Sequence, residues 1–285
     1  MKKAAILYNV RSGHGRIADH TEQIRTLFAE HDYDLELLPV DFAANPFDGR
    51  EDLELLVVAG GDGTVNFAVN AMQARGLDIP IGVIPAGTAN DFAGALGMAS
   101  DVCEAARQIA SGHEERVDCG CVNGRWFVNI CSFGLFTTTS QHTPDERKHK
   151  LGKLAYLIEG AKELGQLHAI PLQVTADGAT FGCKVLMALI FNGETAGGFR
   201  RARQASIRDG RFDILLLEKR NLLLSLCDMV RYALGGSPKH VRFLRAQQLT
   251  LESPIDEPTD VDGQPGARFP LHIVCRPGAL RVRIP

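Results

Sequence analysis

The sequence predicts an α/β domain over residues 1–118 and a mainly antiparallel β-sandwich over residues 119–277. Up to Asp118, apolar runs without strict alternation are separated by helical patterns, which is typical of a parallel sheet covered on both faces. Beyond Asp118, β-rich runs are joined by Asn-Gly and Asp-Gly pairs, which are strong hairpin signals. The chain therefore changes from one fold class to the other near Asp118.

The elements follow from these patterns in chain order. Four strands are predicted in the first domain, in "KAAILYN", "YDLELLPV", "LELLVVAG" and "IPIGVIP". Helices are predicted around them, in "IADHTEQIRTLFAEH", "VNFAVNAMQARG", "NDFAGALGM" and "DVCEAARQIASGH". In the second domain, two further helical patterns, "DERKHKLGKLAYLIEGAKEL" and "NLLLSLCDMVRYALGG", interrupt a series of strands that ends with "ALRVRIP".

Composition limits the class of protein. The 285 residues are 45% hydrophobic and 23% charged, with a net charge of -3, so we expect no nucleic-acid partner held through bulk charge. No apolar run reaches the roughly 18 residues of a membrane span, and the run Ala4–Tyr8 is shorter than the core of a signal peptide. Seven cysteines without a C-x-x-C pair indicate reduced thiols. These features predict a cytoplasmic protein.

The stretch "VVAGGDGTVNF" contains a glycine-rich turn between a buried strand and a helix. Glycines there let the backbone approach a ligand, and the N–H groups at the start of the helix favour an anion. Asp62 would repel a bare phosphate, but it suits a phosphate that is accompanied by a metal ion. The alternative is a tight turn in which Asp62 only caps a helix, with Thr64 as the first residue that offers a capping hydroxyl.

A second stretch, "IGVIPAGTANDFAGALG", repeats this arrangement one strand later, with Gly87, Thr88, Asn90 and Asp91 after the apolar run. The carboxyl ends of adjacent parallel strands face one crevice. One site for a magnesium-bound nucleotide explains the repetition better than two independent helix caps.

"GGDGT" followed by "GTANDFA" resembles the soluble diacylglycerol kinase superfamily, and specifically the bacterial diacylglycerol kinase-like lipid kinases. "YNVRSGHGR", "RVDCGCVNGRWFVN", "KLGKLAYL", "NGETAGGF", "RDGRFDILLL" and "VDGQP" follow the order of that family over nearly the whole chain. The resemblance implies a Rossmann-like, NAD kinase-like sheet to which residues 278–285 return. It also implies an ATP- and Mg²⁺-dependent kinase that phosphorylates a hydroxyl of diacylglycerol or a related lipid at a membrane surface.

The resemblance also implies roles for individual residues. The ATP-binding residues would be Asn9, Ser12, Gly13, Gly60, Gly61, Asp62, Gly63, Thr64, Val65, Asn66, Phe67, Gly87, Thr88 and Asn90. A metal-and-water network would use Asp62, Asp91 and Asp118, and a second Mg²⁺ site would use Asp209 with the carbonyls of Ser206 and Arg211. The catalytic group would comprise Asp62, Asp262 and Gln264, with Asp262 as the base.

Three positions depart from the family pattern, namely Val10, Phe67 and Gln264. Gln264 stands where the family has a glutamate, and since glutamine cannot take a proton, any base role must fall on Asp262. Glutamine can still orient a hydroxyl by hydrogen bonding. The alternative for Asp262 is structural, because Asp262-Gly263 is also a common hairpin turn.

Several alternatives stay open on the sequence alone. "GHGRIA" fits a dinucleotide fingerprint, which would indicate an oxidoreductase, but a lone match is weak. An NAD kinase shares "GGDGT", and Gln264 is compatible with a nucleotide-binding regulator that has lost catalysis. The basic run "DERKHKLGK" could touch anionic headgroups, although a solvated helix face is the preferred interpretation. The acceptor lipid is not specified, and a homodimer is compatible with the sequence.

Overall fold

A computed structural model describes residues 1–9, 16–134, 168–193, 195–196, 199–200, 206–219 and 241–285. The helical patterns predicted at 145–164 and 221–236 lie outside these ranges, as does the basic run at 145–153. The helices are α1 (Arg16–Asp19), α2 (Thr21–Glu30), α3 (Asp62–Ala74), α4 (Asp91–Ala95) and α5 (Val102–Ser111). The strands are β1 (Lys2–Tyr8), β2 (Tyr33–Pro39), β3 (Leu55–Gly60), β4 (Ile81–Pro85), β5 (His113–Val122), β6 (Arg125–Phe127), β7 (Ile130–Gly134), β8 (Ile170–Ala176), β9 (Ala179–Phe191), β10 (Thr195–Ala196), β11 (Phe199–Arg200), β12 (Phe212–Glu218), β13 (Val241–Ala246), β14 (Gln248–Glu252), β15 (Thr259–Val261), β16 (Gln264–Pro265) and β17 (Leu271–Ile284).

The predicted parallel sheet is confirmed in the order β2-β1-β3-β4. Every residue of β3 is buried, as expected for a central strand with helices on both faces. The pattern predicted as a single helix is divided into α1 and α2, where the His20 N–H donates to the Ile17 carbonyl and ends the first turn. The carboxyl ends of β3 and β4 lie side by side, since Gly60 pairs with Pro85.

Two long strands connect the halves of the molecule. β5 and β17 pair antiparallel along most of their length, and Val282 of β17 pairs parallel with Ile81 of β4. Val117 and Leu280 belong to the core of the first half, whereas Val122 and Cys275 belong to the core of the second half. Both strands therefore pass from one hydrophobic core into the other, and the two halves share one continuous sheet.

The second half is the predicted antiparallel β structure, in the order β16-β15-β7-β9-β8-β14-β17, with β12 paired between β9 and β13. The Asn123-Gly124 and Asp177-Gly178 pairs both have positive φ at their two positions and join β5 to β6 and β8 to β9. This is the conformation of a two-residue type I′ hairpin turn, so both hairpin predictions are confirmed. None of the described helices is long and apolar enough to cross a membrane.

Candidate active site

The two glycine turns predicted to share a crevice are in direct contact. A Cβ built on Gly87 would lie 2.4 Å from the Cα of Gly61, and one built on Gly61 would lie 3.1 Å from the Cα of Gly87. The Ala86 N–H also donates to the Gly60 carbonyl at 3.1 Å, which ties the second turn to the end of β3. Glycine is required at 87 because the backbone of Gly61 leaves no room for a side chain, and at 61 a side chain would be tightly packed.

We expect Gly87→Ala to weaken nucleotide binding or turnover at least about tenfold, because the new methyl group must push the two turns apart. The matched control is Gly94→Ala in α4, where a Cβ meets nothing within 4 Å and alanine is the better helix former. Binding titrations and thermal unfolding of both variants check this. Wild-type nucleotide affinity and turnover in Gly87→Ala would contradict it.

Asn90 stabilises the second turn from within. It adopts φ 54°, its Oδ1 accepts from the Gly87 N–H at 2.8 Å, and its Nδ2 donates to the Gly87 carbonyl at 2.9 Å. The amide of Asn90 is therefore used inside its own turn, and a contact between Asn90 and a nucleotide stays a prediction. Thr88 is exposed between these residues, at the mouth of the crevice.

Asp62 connects the first turn to the second. Its Oδ2 accepts from the Asp91 N–H at 3.2 Å, and its Oδ1 accepts from the Phe92 N–H at 3.1 Å. Asn129 donates to the same Oδ1 from its Nδ2 at 2.9 Å. Asp62 thus caps α4 across the crevice and not its own helix. A carboxylate offers about four acceptor sites, so the three donors from the described residues leave one of them open on this half-buried side chain.

The start of α3 is suited to an anion. This 13-residue helix begins at Asp62, and its N-cap, Gly61, provides no side-chain hydrogen bond. The first N–H groups of a helix lack partners within it and carry the positive end of its dipole. Thr64 does not cap the helix, because its side chain is buried beneath Gly60. Open N–H donors beside one carboxylate fit a phosphate that carries Mg²⁺, which favours carboxylate oxygens.

The side chains of the next three residues point away from this anion site. Val65 is 1% exposed in the first core, and Phe67 packs edge-on against Phe42 with ring centroids 5.1 Å apart. Asn66 is buried and donates from Nδ2 to the Trp126 carbonyl at 2.9 Å and to Asp262 at 2.8 Å. These side chains lie in the packed faces of α3, so a phosphate contact at the three positions, which stays a prediction, would have to come from the main chain.

Asp262 occupies the hairpin turn between β15 and β16, with φ 50°, followed by Gly263 at φ 81°. Its carboxylate is surrounded by four donors. The N–H groups of residues 128, 129 and 130 donate at 2.7, 3.0 and 2.8 Å, and Asn66 supplies the fourth hydrogen bond. Burial outweighs these hydrogen bonds and raises the pKa of Asp262 to about 6.

The base role of Asp262 stays a prediction, and this geometry restricts it. Because four donors already bond to the carboxylate, a substrate hydroxyl would have to displace one of them before Asp262 could take its proton. Gln264, by contrast, is exposed, and its Nε2 lies 3.9 Å from the position of a Cβ on Gly63. Position 264, where the family glutamate is replaced, is therefore the one that faces the glycine turn.

Asp118 lies in a different cluster from the one predicted. It is 3% exposed, and its two carboxylate oxygens accept from the N–H groups of Gly210 and Gly278 at 2.7 and 3.0 Å. It therefore fixes the turn at 206–211 and the bend in β17. Asp62 accepts from the main-chain N–H of the buried Asp91 at the start of α4, and the metal-and-water network of Asp62, Asp91 and Asp118 stays a prediction.

The carboxylate of the predicted second metal site, Asp209, forms an ion pair with an arginine side chain. Asp209 accepts from the Arg211 N–H at 3.1 Å and forms an ion pair with Arg245, which also lies 3.4 Å from Asp213. Ser206 uses its hydroxyl to accept from the Arg208 N–H at 3.2 Å. A divalent cation at this turn would have to displace Arg245, so these residues do not fit the group. Among the described residues, no three His, Cys, Asp or Glu side chains gather closely enough to hold a metal ion.

One of the three residues predicted to bind the nucleotide after β1 is described by the structure. Asn9 follows β1, and its N–H donates to the Ala59 carbonyl at 3.2 Å, so it lies beside the first glycine turn. Ser12 and Gly13, predicted in the same loop, lie outside the described residues. Sequence reasoning missed Asn129 and the partner role of Asn66, because nothing in their local pattern indicates which distant carboxylates they contact.

Comparisons with known proteins agree with this architecture. The diacylglycerol kinase catalytic domain model matches residues 3–122, and the YegS C-terminal NAD kinase beta sandwich-like domain model matches residues 129–284. A diacylglycerol kinase of Bacillus subtilis is 31% identical over 284 residues, covering 96% of this chain and 93% of the relative. One of Staphylococcus carnosus is 33% identical over 228 residues, covering 79% of this chain and 74% of the relative. The crystal structure of a diacylglycerol kinase from Bacillus anthracis has the same fold, with a TM-score of 0.82, 24% identity and coverage of 100% and 97%.

The fold and the paired glycine turns define a two-domain protein of the NAD kinase-like class, with a Rossmann-like sheet continued into a β-sandwich. Within that class, the chain belongs to the diacylglycerol kinase family of bacterial lipid kinases.

Proposed function

We propose that this chain uses ATP and Mg²⁺ to phosphorylate a hydroxyl of diacylglycerol or a related lipid. The observation that carries the proposal is the open start of α3, with its uncapped N–H groups and the half-buried carboxylate of Asp62 beside them. The N–H groups would receive the phosphates, and Asp62, with Asp91 behind it, would face the metal. When bound, Mg²⁺ would neutralise the charge that develops on the transferred group.

Gln264 would orient the acceptor hydroxyl over the glycine turn. Its exposed amide can donate to the hydroxyl oxygen or accept its proton in a hydrogen bond, but it cannot remove that proton. Phosphoryl transfer proceeds through a loose transition state in which positioning and charge neutralisation supply most of the catalysis. The chain would therefore remain an active kinase without a carboxylate base at this position.

The test is transfer of labelled phosphate from ATP by the full chain with Mg²⁺. Mixed micelles would present diacylglycerol, phosphatidylglycerol or a sphingoid base, with NAD in a separate reaction. Product from one of the lipids is expected. Product from NAD alone would overturn the lipid assignment. Nucleotide binding without turnover on any acceptor would select the second candidate, a catalytically weakened regulator, which the glutamine at 264 specifically favours.

We expect Gln264→Glu to raise kcat about tenfold or more, because it would add a proton acceptor that faces the glycine turn. Gln264→Ala is the comparison, since it removes the orienting amide and should lower kcat/KM for the lipid. Steady-state kinetics with a fixed lipid, measured over a range of pH, check both variants. A kcat for Gln264→Glu at or below that of the wild type would contradict the idea that the missing base limits turnover.

The lipid acceptor implies that the chain works peripherally, on a membrane surface, because diacylglycerol and its relatives reside there. The crevice would then have to open toward the lipid at the junction of the two halves, where β6, β7 and the β15–β16 turn meet α3. Sedimentation of the chain with vesicles that contain the accepted lipid would measure this contact. A chain that stays in the supernatant at every lipid concentration would argue against it.

A further inference from the structure

Asn129 lies between the two halves of the site and bonds to a carboxylate from each. Its main-chain N–H donates to Asp262 Oδ1 at 3.0 Å, and its side-chain Nδ2 donates to Asp62 Oδ1 at 2.9 Å. The residue is 6% exposed; its hydrogen bond to Asp262 is buried, and its hydrogen bond to Asp62 is partly buried. Hydrogen bonds to charged groups in such surroundings are among the stronger ones in proteins.

The backbone of Asn129 is held independently of Asp62. The N–H groups on both sides of it, from Val128 and Ile130, also donate to Asp262. Its carbonyl accepts from the Asn192 N–H at 2.8 Å, and the Asn192 side chain donates to the Val128 carbonyl at 3.0 Å. Asn129 is thus a fixed donor that projects from the junction toward the glycine turn.

The carboxylate of Asp62 depends on that donor. Its other two hydrogen bonds come from the N–H groups of Asp91 and Phe92, which both belong to the start of α4 in the same half of the protein. The amide of Asn129 is the contact in the described part of the chain that ties this carboxylate to the second half. Without it, the plane of the carboxylate is set by α4 alone.

We propose that Asn129 is a positioning residue that orients Asp62 for the metal-bound nucleotide and couples the glycine turn to the β-sandwich. The inference rests on the proposed function, since it takes Asp62 to face the nucleotide. Asn129 itself need not touch ATP or lipid. It acts by holding one oxygen of Asp62, so that the open acceptor site of the carboxylate keeps a constant direction.

The test is a double-mutant cycle on the affinity for MgATP, measured by titration calorimetry with the full chain. Asn129→Ala removes the Nδ2 donor but keeps the main-chain N–H that bonds to Asp262. We expect it to weaken MgATP binding about five- to tenfold, which is part of the value of one charge-assisted hydrogen bond. In an Asp62→Ala background the same substitution should change the affinity less than twofold.

The outcomes separate the inference from the proposed function. Equal effects of Asn129→Ala with and without Asp62 would overturn the positioning role, because Asn129 would then act through another route. An affinity that is unchanged by Asp62→Ala would overturn both, since Asp62 would not face the nucleotide. Asn70→Ala is the matched control. The Asn70 amide bonds to the Trp126 backbone at this junction but contacts neither carboxylate. The affinity of this variant for MgATP should stay within about twofold of the wild type.

Discussion

Replacing Asp62 with asparagine is expected to lower kcat/KM by on the order of 10²–10³-fold while the protein remains folded. The substitution removes the negative charge at the start of α3. It also replaces one acceptor oxygen with an NH₂ donor, which would face the main-chain N–H groups or the Asn129 amide that donate to the carboxylate in the wild type. Turnover with saturating lipid, measured across Mg²⁺ concentrations, should show the loss together with a weaker dependence on Mg²⁺.

The control for Asp62→Asn is Asp101→Asn. Asp101 is also a helix-capping aspartate, with Oδ1 accepting from the Glu104 N–H at 2.9 Å at the start of α5. Asparagine caps helices about as well as aspartate, so this exchange should leave turnover unchanged. If Asp62→Asn retained most of the wild-type kcat/KM, Asp62 would be only the cap of α4, which is the structural alternative that its hydrogen bonds also allow.

Removal of the Asp262 carboxylate should destabilise the fold strongly. Asp262→Ala leaves four buried donors without their acceptor, and unsatisfied buried donors cost about 1–3 kcal/mol each. Since water can enter the space left by the carboxylate and satisfy some of them, we expect a loss of about 4 kcal/mol at neutral pH. Denaturant unfolding of the wild type and the variant measures this loss.

The difference in stability between the wild type and Asp262→Ala should also depend on pH, in a direction that the pKa of Asp262 sets. The pKa of Asp262 is raised from 3.8 to about 6 in the folded protein, so the native state binds the proton more tightly than the unfolded state. The stability that Asp262 contributes is therefore fully present near pH 4 and declines as the pH rises to about 6, above which it stays constant. The stability gap between wild type and Asp262→Ala should narrow by about 3 kcal/mol over this range. A gap that widens with pH would mean that the four donors outweigh burial and lower the pKa.

The fold and the glycine turns could be predicted from the sequence because their determinants are local. Buried apolar runs, helical spacing and Asn-Gly or Asp-Gly pairs each act within about ten residues. The order of β3 and β4 then follows from chain connectivity, and with it the meeting of Gly61 and Gly87. The contact with Gly61 explains in the structure why residue 87 is a glycine, which the sequence alone does not show.

The side-chain network of the site could not be predicted in the same way. Asp262 was expected either to turn the chain or to act as a base; it does turn the chain, but its carboxylate is surrounded by donors from Asn66 and from residues 128–130. Those donors are more than a hundred residues away in the chain, and no local pattern connects them. The resemblance assigns Asp118 to the metal network, and no local pattern predicts that the N–H groups of Gly210 and of Gly278 in β17 bond to its carboxylate.

The pairing of Val282 with Ile81 has a consequence for biosynthesis. The edge of the first sheet beyond β4 is covered by a strand that leaves the ribosome about 200 residues later. Until β17 has been made, the edge of β4 at Ile81 and the edge of β5 that pairs with β17 lack their neighbouring strand. The sheet of the first half thus gains this strand only after β17 has been made, and until then a nascent chain carries an open edge beside β4 that can pair with other strands.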